Sequence, residues 1–145
     1  MQIAMVGLGR MGANMVRRLQ RTGHECVAYD LNEAAVATME AEGARGARSP
    51  RELVDALATP RHIWMMVPAA FVGDTIAAFE SLLSPGDTLI DGGNSWYRED
   101  VDRSATLAPN GINYLDVGTS GGVFGLERGY CLMIGGPDKS VKELS

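Results

Sequence analysis

Apolar positions in this chain change their period in a regular alternation. Residues 2–6, Gln-Ile-Ala-Met-Val, form a short apolar run, and residues 11–21 then space apolar side chains at helical intervals with arginines between them. The alternation repeats along the chain. It predicts strands over 25–30, 62–67, 88–90, 113–117 and 130–134, and helices over 33–42, 50–57, 70–83 and 97–108. Strands separated by helical crossovers predict an α/β fold with a doubly wound, mostly parallel sheet. The run Ile63-Trp64-Met65-Met66-Val67 is apolar without alternation, as for a central strand covered on both faces, so its methionines and tryptophan are expected in the core. Glycines at 111, 118, 121, 122, 125, 129, 135 and 136 divide the last third into predicted loops. Residues 138–145 read as the first turns of a further helix, too short to bury a face. The expected organisation is one domain over 1–137, followed by the start of a truncated helix over 138–145, with no helical C-terminal domain.

The first strand runs directly into Gly7-Leu8-Gly9-Arg10-Met11-Gly12. A G-x-G-x-x-G run carries little weight alone, but strand, tight turn and helix in that order are what a Rossmann-like dinucleotide site requires. Gly7 allows the turn, Gly9 lets backbone approach a pyrophosphate, and Gly12 lets the helix pack close to the strand. The helix then points its first N–H groups and positive dipole end at the phosphates. Leu8, Arg10 and Met11 lie within the same turn. Arg10 is placed to meet the pyrophosphate, and Met11 either shields the turn or joins the core. Asp30 ends the second strand, 18 residues beyond Gly12, where this fold sets an acidic side chain on the adenosine ribose. A carboxylate there would face the 2′-phosphate of NADP, and Leu31, Asn32 and Glu33 offer no positive charge to offset it. Two like charges about 4 Å apart cost roughly 1–4 kcal/mol near a protein surface. NAD is therefore expected over NADP by tenfold or more.

Composition narrows the picture. The chain has 145 residues, 46% of them hydrophobic, enough for a single substantial core. A net charge of −5 without a Lys/Arg run gives no footprint for nucleic acid. The N-terminal apolar run is interrupted by Gly7, Gly9 and Arg10, so neither a signal peptide nor a membrane span is expected, and a cytoplasmic location is. Cys26 and Cys131 match no metal spacing and both fall in predicted strands, so both are expected as buried, reduced thiols. His24 and His62 each precede a strand with no acid or nucleophile spacing around them, and are read as structural or surface residues.

Two further glycine-rich segments follow strands: Asp91-Gly92-Gly93-Asn94-Ser95 and Asp116-Val117-Gly118-Thr119-Ser120-Gly121-Gly122. Helix capping alone explains Asn94 and Ser95. Two such segments at strand ends, however, suggest one shared site whose backbone N–H groups suit a substrate carboxylate. With the continuation through Val-Phe-Gly-Leu-Glu-Arg-Gly-Tyr-Cys-Leu-Met-Ile-Gly-Gly to residue 136, these motifs closely resemble decarboxylating 6-phosphogluconate dehydrogenases, most of all their shorter bacterial branch. The wider β-hydroxyacid dehydrogenase group shares the first motif and the Ser-Gly-Gly. The Asp-Gly-Gly-Asn-Ser segment points to the phosphogluconate enzymes.

That resemblance implies a cytoplasmic oxidoreductase of the pentose phosphate pathway and gluconate utilization, homo-oligomeric at full length, that oxidises and decarboxylates 6-phosphogluconate to ribulose 5-phosphate. It implies that Val67 packs along the cofactor, that Asn94 lies between nicotinamide and substrate, and that Ser120, Gly121 and Gly122 hold the sugar acid. The family's lysine after the equivalent valine is Pro68 here, which offers neither charge nor backbone donor. Its general base and acid, a lysine and a glutamate, belong to a downstream segment. Lys139 and Lys142 are the only lysines here and neither lies in that motif, so no catalytic residue is expected in this chain. Loss of one such group removes about 10²–10⁴ of rate. Arg128, after Glu127, reads as an ion-pair or loop anchor as readily as a substrate contact. Exposed apolar surface and self-association are expected. Two alternatives stand beside this reading: a related hydroxyacid dehydrogenase or imine reductase, and a free-standing NAD-sensing module.

Overall fold

The computed structural model describes residues 1–93 and 97–144. Among these residues seven strands form one sheet in the order β3-β2-β1-β4-β5-β6-β7. They are β1 (Gln2–Val6), β2 (Glu25–Tyr29), β3 (Arg45–Ala47), β4 (His62–Met65), β5 (Thr88–Asp91), β6 (Asn113–Ser120) and β7 (Cys131–Gly135). Strands β1 to β6 are parallel, and β7 runs antiparallel to β6. The helices are α1 (Arg10–Arg21), α2 (Glu33–Ala41), α3 (Pro50–Asp55), α4 (Ala69–Glu80), α5 (Tyr97–Leu107), α6 (Gly125–Arg128) and α7 (Asp138–Glu143). The expected α/β, doubly wound, mostly parallel sheet is therefore present. Its strand order reverses between β1 and β4, and in such sheets ligands bind outside the carboxyl ends of the strands at that switch.

Both faces of the central strands are buried. Ile63 and Met65 of β4 join Leu53, Val72, Phe79 and Leu89 on one face, while Trp64 joins Met5, Val16, Ile90 and Leu115 on the other. The non-alternating run at 63–65 is thus core on two sides, as its pattern required. Local chemistry starts the helices: Asn32 caps α2 by accepting from the Ala34 N–H, and Ser49 caps α3 by accepting from the Glu52 N–H, with Pro50 in the first turn.

Four expectations change. Strand β3 was not foreseen, because Arg45-Gly46-Ala47 carries no apolar run; pairing with β2 makes it a strand. Residues 118–120, read as loop, continue β6, since their backbone pairs with residues 131–133 of β7. Cys131 is exposed, not buried: it lies on edge strand β7, all five of whose residues are exposed, including Leu132, Met133 and Ile134. Cys26 is buried, and burial pushes its thiol up to about 11. Finally, α7 does bury a face, through Ser140 and through Val141 and Leu144 packed on the core. Among the described residues no helix is long and apolar enough to cross a membrane.

Candidate functional site: a cleft at the carboxyl edge of the sheet

The glycine turn takes the shape its motif demands. Gly7 has φ +93°, a conformation that side chains disfavour, and its N–H donates to the Tyr29 carbonyl at 2.9 Å. A Cβ at Gly7 would strike the carbonyl of Met66, and one at Gly12 would overlap the carbonyl oxygen of Gly7. Gly9 differs, because a Cβ there would meet nothing within 4 Å and would project into open space. Helix α1 begins at this point with no side-chain cap and no acidic residue in its first turn. Its first N–H groups therefore lack the partner that Asn32 and Ser49 give α2 and α3. An uncapped, unobstructed helix start suits a pyrophosphate. Leu8 is buried and Arg10 is exposed at the helix start, while Met11 is partly buried.

Asp30 is fixed by backbone. Its Oδ2 accepts from the Leu8 N–H at 2.7 Å and its Oδ1 from the Asn32 N–H at 2.8 Å. This ties the carboxylate to the glycine turn on one side and to the start of α2 on the other, and Asp30 lines the adjoining cleft. That cleft has a volume of about 650 Å³ and is lined by Gly7, Gly9, Asp30, Val67 and Pro68, with Pro50 and residues of α4 on its outer wall. Among the described residues its lining holds no Lys or Arg and is mostly apolar. The fit to a dinucleotide is good: a bare helix start for phosphates, a pinned carboxylate for a ribose, and an apolar slot for flat rings. The sequence reading missed that slot. Its signal was the helical spacing of Phe71, Asp74, Thr75 and Ala78 in α4.

Asp91 ends β5 on the same edge, and the segment after it lies against the cleft wall. The Gly92 N–H donates to the Met65 carbonyl at 2.9 Å, and the Gly93 N–H donates to Asp91 Oδ1 at 3.0 Å. A Cβ at Gly92 would meet the Trp64 indole, and one at Gly93 the Val67 carbonyl. Asn94 and Ser95, singled out in the sequence, lie outside the described residues. Ser120, Gly121 and Gly122 follow at the carboxyl end of β6, past the stretch that pairs with β5, and Ser120 pairs with Cys131 of β7. The turn, Asp30, Val67, Asp91 and Ser120 thus share one sheet edge. Arg128 instead sits over the Phe124 ring at 4.9 Å, and Glu127 pairs with Arg21 at 3.2 Å, so the two neighbours do not pair with each other.

Beneath Asp91 lies a polar cluster that no motif announced. The Tyr114 hydroxyl lies 2.8 Å from Asp100 Oδ1 and 3.2 Å from Asp91 Oδ2, and Arg103 is 3.3 Å from Asp100. One phenolic proton cannot serve two carboxylates. Asp100 is buried, its Oδ2 without a hydrogen-bond partner among the described residues, and burial, reinforced by Asp91 and Asp116, raises its carboxyl to about 6. Burial and Asp91 also push Tyr114 and Asp116 up. A carboxyl raised above its unfolded value stabilises the fold fully at low pH and loses that contribution as pH rises through about 6. At about 1.4 kcal/mol per pH unit, the penalty at neutral pH reaches at most ~3 kcal/mol. Asp100→Asn stays neutral and keeps an acceptor for Tyr114. It should melt about 2–8 °C above the parent at pH 7.5 and show a flatter pH dependence between 5 and 7. Thermal melts across that range check this, and a lower melting temperature at pH 7.5 would contradict it.

The model of the NAD binding domain of 6-phosphogluconate dehydrogenase matches residues 2–145. The NAD(+)-dependent, decarboxylating 6-phosphogluconate dehydrogenase of Haloferax volcanii is 44% identical over 146 residues, a match covering 100% of this chain and 48% of that one. Among solved structures, the 6-phosphogluconate dehydrogenase of Plasmodium falciparum, studied with NADP+ and with 6-phosphogluconate, superposes with a TM-score of 0.87 at 27% identity, over 99% of this chain and 33% of that one. A 3-hydroxyisobutyrate dehydrogenase of Mycobacterium tuberculosis reaches 0.86 at 26% identity, over 98% and 48%. The chain spans about half the length, or less, of these relatives. With a family match over nearly every residue, and the turn, pinned aspartate and cleft that a dinucleotide needs, this chain belongs to the 6-phosphogluconate dehydrogenase family as its NAD-binding domain.

Proposed function

We propose that this chain is the cofactor-holding part of an NAD-preferring, decarboxylating 6-phosphogluconate dehydrogenase of the pentose phosphate pathway. The observation that carries the preference is the Asp30 carboxylate, held by two backbone N–H groups in a cleft whose lining contains no basic residue among those described. A ribose hydroxyl pair can donate to it, whereas a 2′-phosphate would meet an uncompensated like charge. The relative from Haloferax volcanii is named NAD(+)-dependent, and the Plasmodium falciparum enzyme is described with NADP+, so the family name alone leaves the choice to such residues.

NAD bound here supplies a hydride acceptor for oxidation of the sugar acid. The chain's own residues bind and orient: the start of α1 takes the pyrophosphate, Asp30 the ribose, and Val67 packs along the cofactor. Asn94, Ser120, Gly121 and Gly122 hold the sugar acid beside it. The general base and acid come from outside these 145 residues, whose only lysines are Lys139 and Lys142. The full-length enzyme is taken to be a cytoplasmic homo-oligomer, and the exposed apolar face of β7 supports a covering surface there.

Calorimetric titration of the 145-residue chain tests the reading. NAD should bind at least tenfold tighter than NADP, and Asp30→Ser should bring the two within about threefold. Mixed with NAD and 6-phosphogluconate, the chain should show no turnover. NADP binding as tight as NAD in the parent, or measurable turnover, would overturn the corresponding part of the proposal.

A further inference from the structure

Asp91 and Asp100 flank the segment that leads from β5 into α5: Asp91 is the last residue of β5, and Asp100 lies in the first turn of α5. Tyr114 of β6 joins the two, its hydroxyl 2.8 Å from Asp100 Oδ1 and 3.2 Å from Asp91 Oδ2. All three residues are buried. The other oxygen of Asp91 holds the segment itself. Its Oδ1 accepts from the Gly93 N–H at 3.0 Å, and a Cβ on Gly93 would meet the carbonyl of Val67, so Gly93 packs on a residue that lines the cofactor cleft. Asp30 follows β2 and Gly93 follows β5, three strands away in the order β2-β1-β4-β5, which is about 14 Å at the usual strand spacing. With the adenosine ribose at Asp30 and the pyrophosphate at the start of α1, the nicotinamide half of the dinucleotide falls toward Val67 and Gly93.

The proton count decides what Tyr114 holds. When Asp100 is un-ionised, its O–H donates to the phenolic oxygen and the phenolic hydrogen donates to Asp91, so one chain of hydrogen bonds runs from α5 to β5. When Asp100 is ionised, the phenolic hydrogen goes to the nearer carboxylate, which is Asp100, and Asp91 Oδ2 is left facing a lone pair. Asp91 then loses the donor that fixes it, and the Gly93 bond on its other oxygen loosens. Asp100 is faced by Asp91 from β5 and by Tyr114 and Asp116 from β6. On its own helix stand Arg103 and Glu99, and Glu80 of α4 shares a small cavity with Arg103. Burial is the largest influence and raises the Asp100 carboxyl to about 6 against the opposing Tyr114 bond, with Asp91 and Asp116 adding to the rise.

Resting on the cofactor reading above, we propose that Asp100 and Tyr114 form a proton-operated clasp: un-ionised Asp100 lets Tyr114 fix Asp91, and Asp91 holds Gly93 against Val67 on the nicotinamide side of the cleft. Both are positioning residues, since neither lines the cleft. They act on the bound cofactor only through Asp91 and Gly93.

Binding that favours the closed clasp takes up a proton, because the clasp is closed only when Asp100 is un-ionised. A clasp that changes NAD affinity tenfold raises the Asp100 midpoint by about one pH unit, so about half a proton is taken up per NAD at pH 6.5. Calorimetric titration of the 145-residue chain in two buffers of different protonation enthalpy reads that uptake directly. By the same linkage NAD should bind about sevenfold tighter at pH 5.5 than at pH 8. ADP-ribose, which keeps the adenosine and pyrophosphate but lacks nicotinamide, should change by less than about twofold over that range and take up no proton. Asp100→Asn, whose amide N–H donates to the Tyr114 oxygen at every pH, should keep the low-pH NAD affinity throughout and show no uptake. Tyr114→Phe should bind NAD at pH 5.5 about sevenfold more weakly than the parent and ADP-ribose within about twofold of it, which also shows that the variant is folded. Uptake that persists in Asp100→Asn, or the same pH dependence for NAD and ADP-ribose, would overturn the inference while leaving NAD binding intact. A parent chain that binds neither nucleotide would overturn the cofactor reading and this inference together.

Discussion

Gly12→Ala should abolish measurable NAD binding, raising the dissociation constant by at least about a hundredfold, and should destabilise the fold by about 3 kcal/mol. The methyl group would overlap the carbonyl oxygen of Gly7, and nothing around that oxygen can yield. Gly7 is held by its own N–H bond to the Tyr29 carbonyl, and its α-carbon sits against the Met66 carbonyl, which packs on it from β4. Relief must come from α1 moving away from the β1 turn, which tilts the helix start away from the phosphates and opens the core around Val16. For a chain of this size the cost corresponds to a fall of about 6–12 °C in melting temperature. Gly9→Ala provides the contrast, since a methyl there meets only open space. It should melt within about 1 °C of the parent and still bind NAD at least tenfold more weakly, because the methyl occupies the cofactor's approach. Melts and titrations of the pair check both halves. A Gly12→Ala variant that melts with the parent would show that the turn is not the packed unit described.

That contrast also separates what the motif encodes locally from what distant partners create. The spacing Gly7, Gly9, Gly12 and Asp30 points to a turn, a helix start and the carboxylate proposed for the ribose because each is local to one strand-turn-helix unit, and the structure brings Asp30 to the Leu8 N–H. Local period likewise identified the central strands. Features created by distant partners were hidden. Strand β3 is made by β2, and Gly118-Thr119-Ser120 becomes strand only because β7 returns antiparallel beside it. A Gly-Thr-Ser before a Gly-Gly reads as loop until that partner is known. The Asp91, Tyr114 and Asp100 cluster joins β5, β6 and α5, so no window of sequence contains it. Phe71 and Asp74 fall within the helix expected over 70–83, but that they border the cleft depends on how α4 packs, which no window of sequence contains.

Asp87→Ala should cost about 3–5 kcal/mol and leave cofactor choice untouched. The Asp87 carboxylate is buried, its Oδ1 accepting from the Arg61 N–H at 2.7 Å and its Oδ2 from the Ser84 N–H at 2.8 Å and the Arg61 guanidinium at 2.9 Å. Arg61 is itself largely buried and donates its remaining Nε–H to the Val54 carbonyl at 3.1 Å. Truncating Asp87 leaves a half-desolvated guanidinium and two backbone donors unpaired, and an abandoned buried charge costs more than the pair contributed. Its position separates this role from binding. Asp87 immediately precedes Thr88 at the amino end of β5, whereas Asp30, Val67 and Asp91 stand at the carboxyl ends of their strands. Denaturant unfolding should therefore show a large loss for Asp87→Ala and little for Asp30→Ser, while nucleotide titration, at a temperature where Asp87→Ala remains folded, should show the reverse. If Asp87→Ala altered the ratio of NAD to NADP affinity, the two edges of the sheet would be coupled, and the division between a structural carboxylate and a binding one would fail.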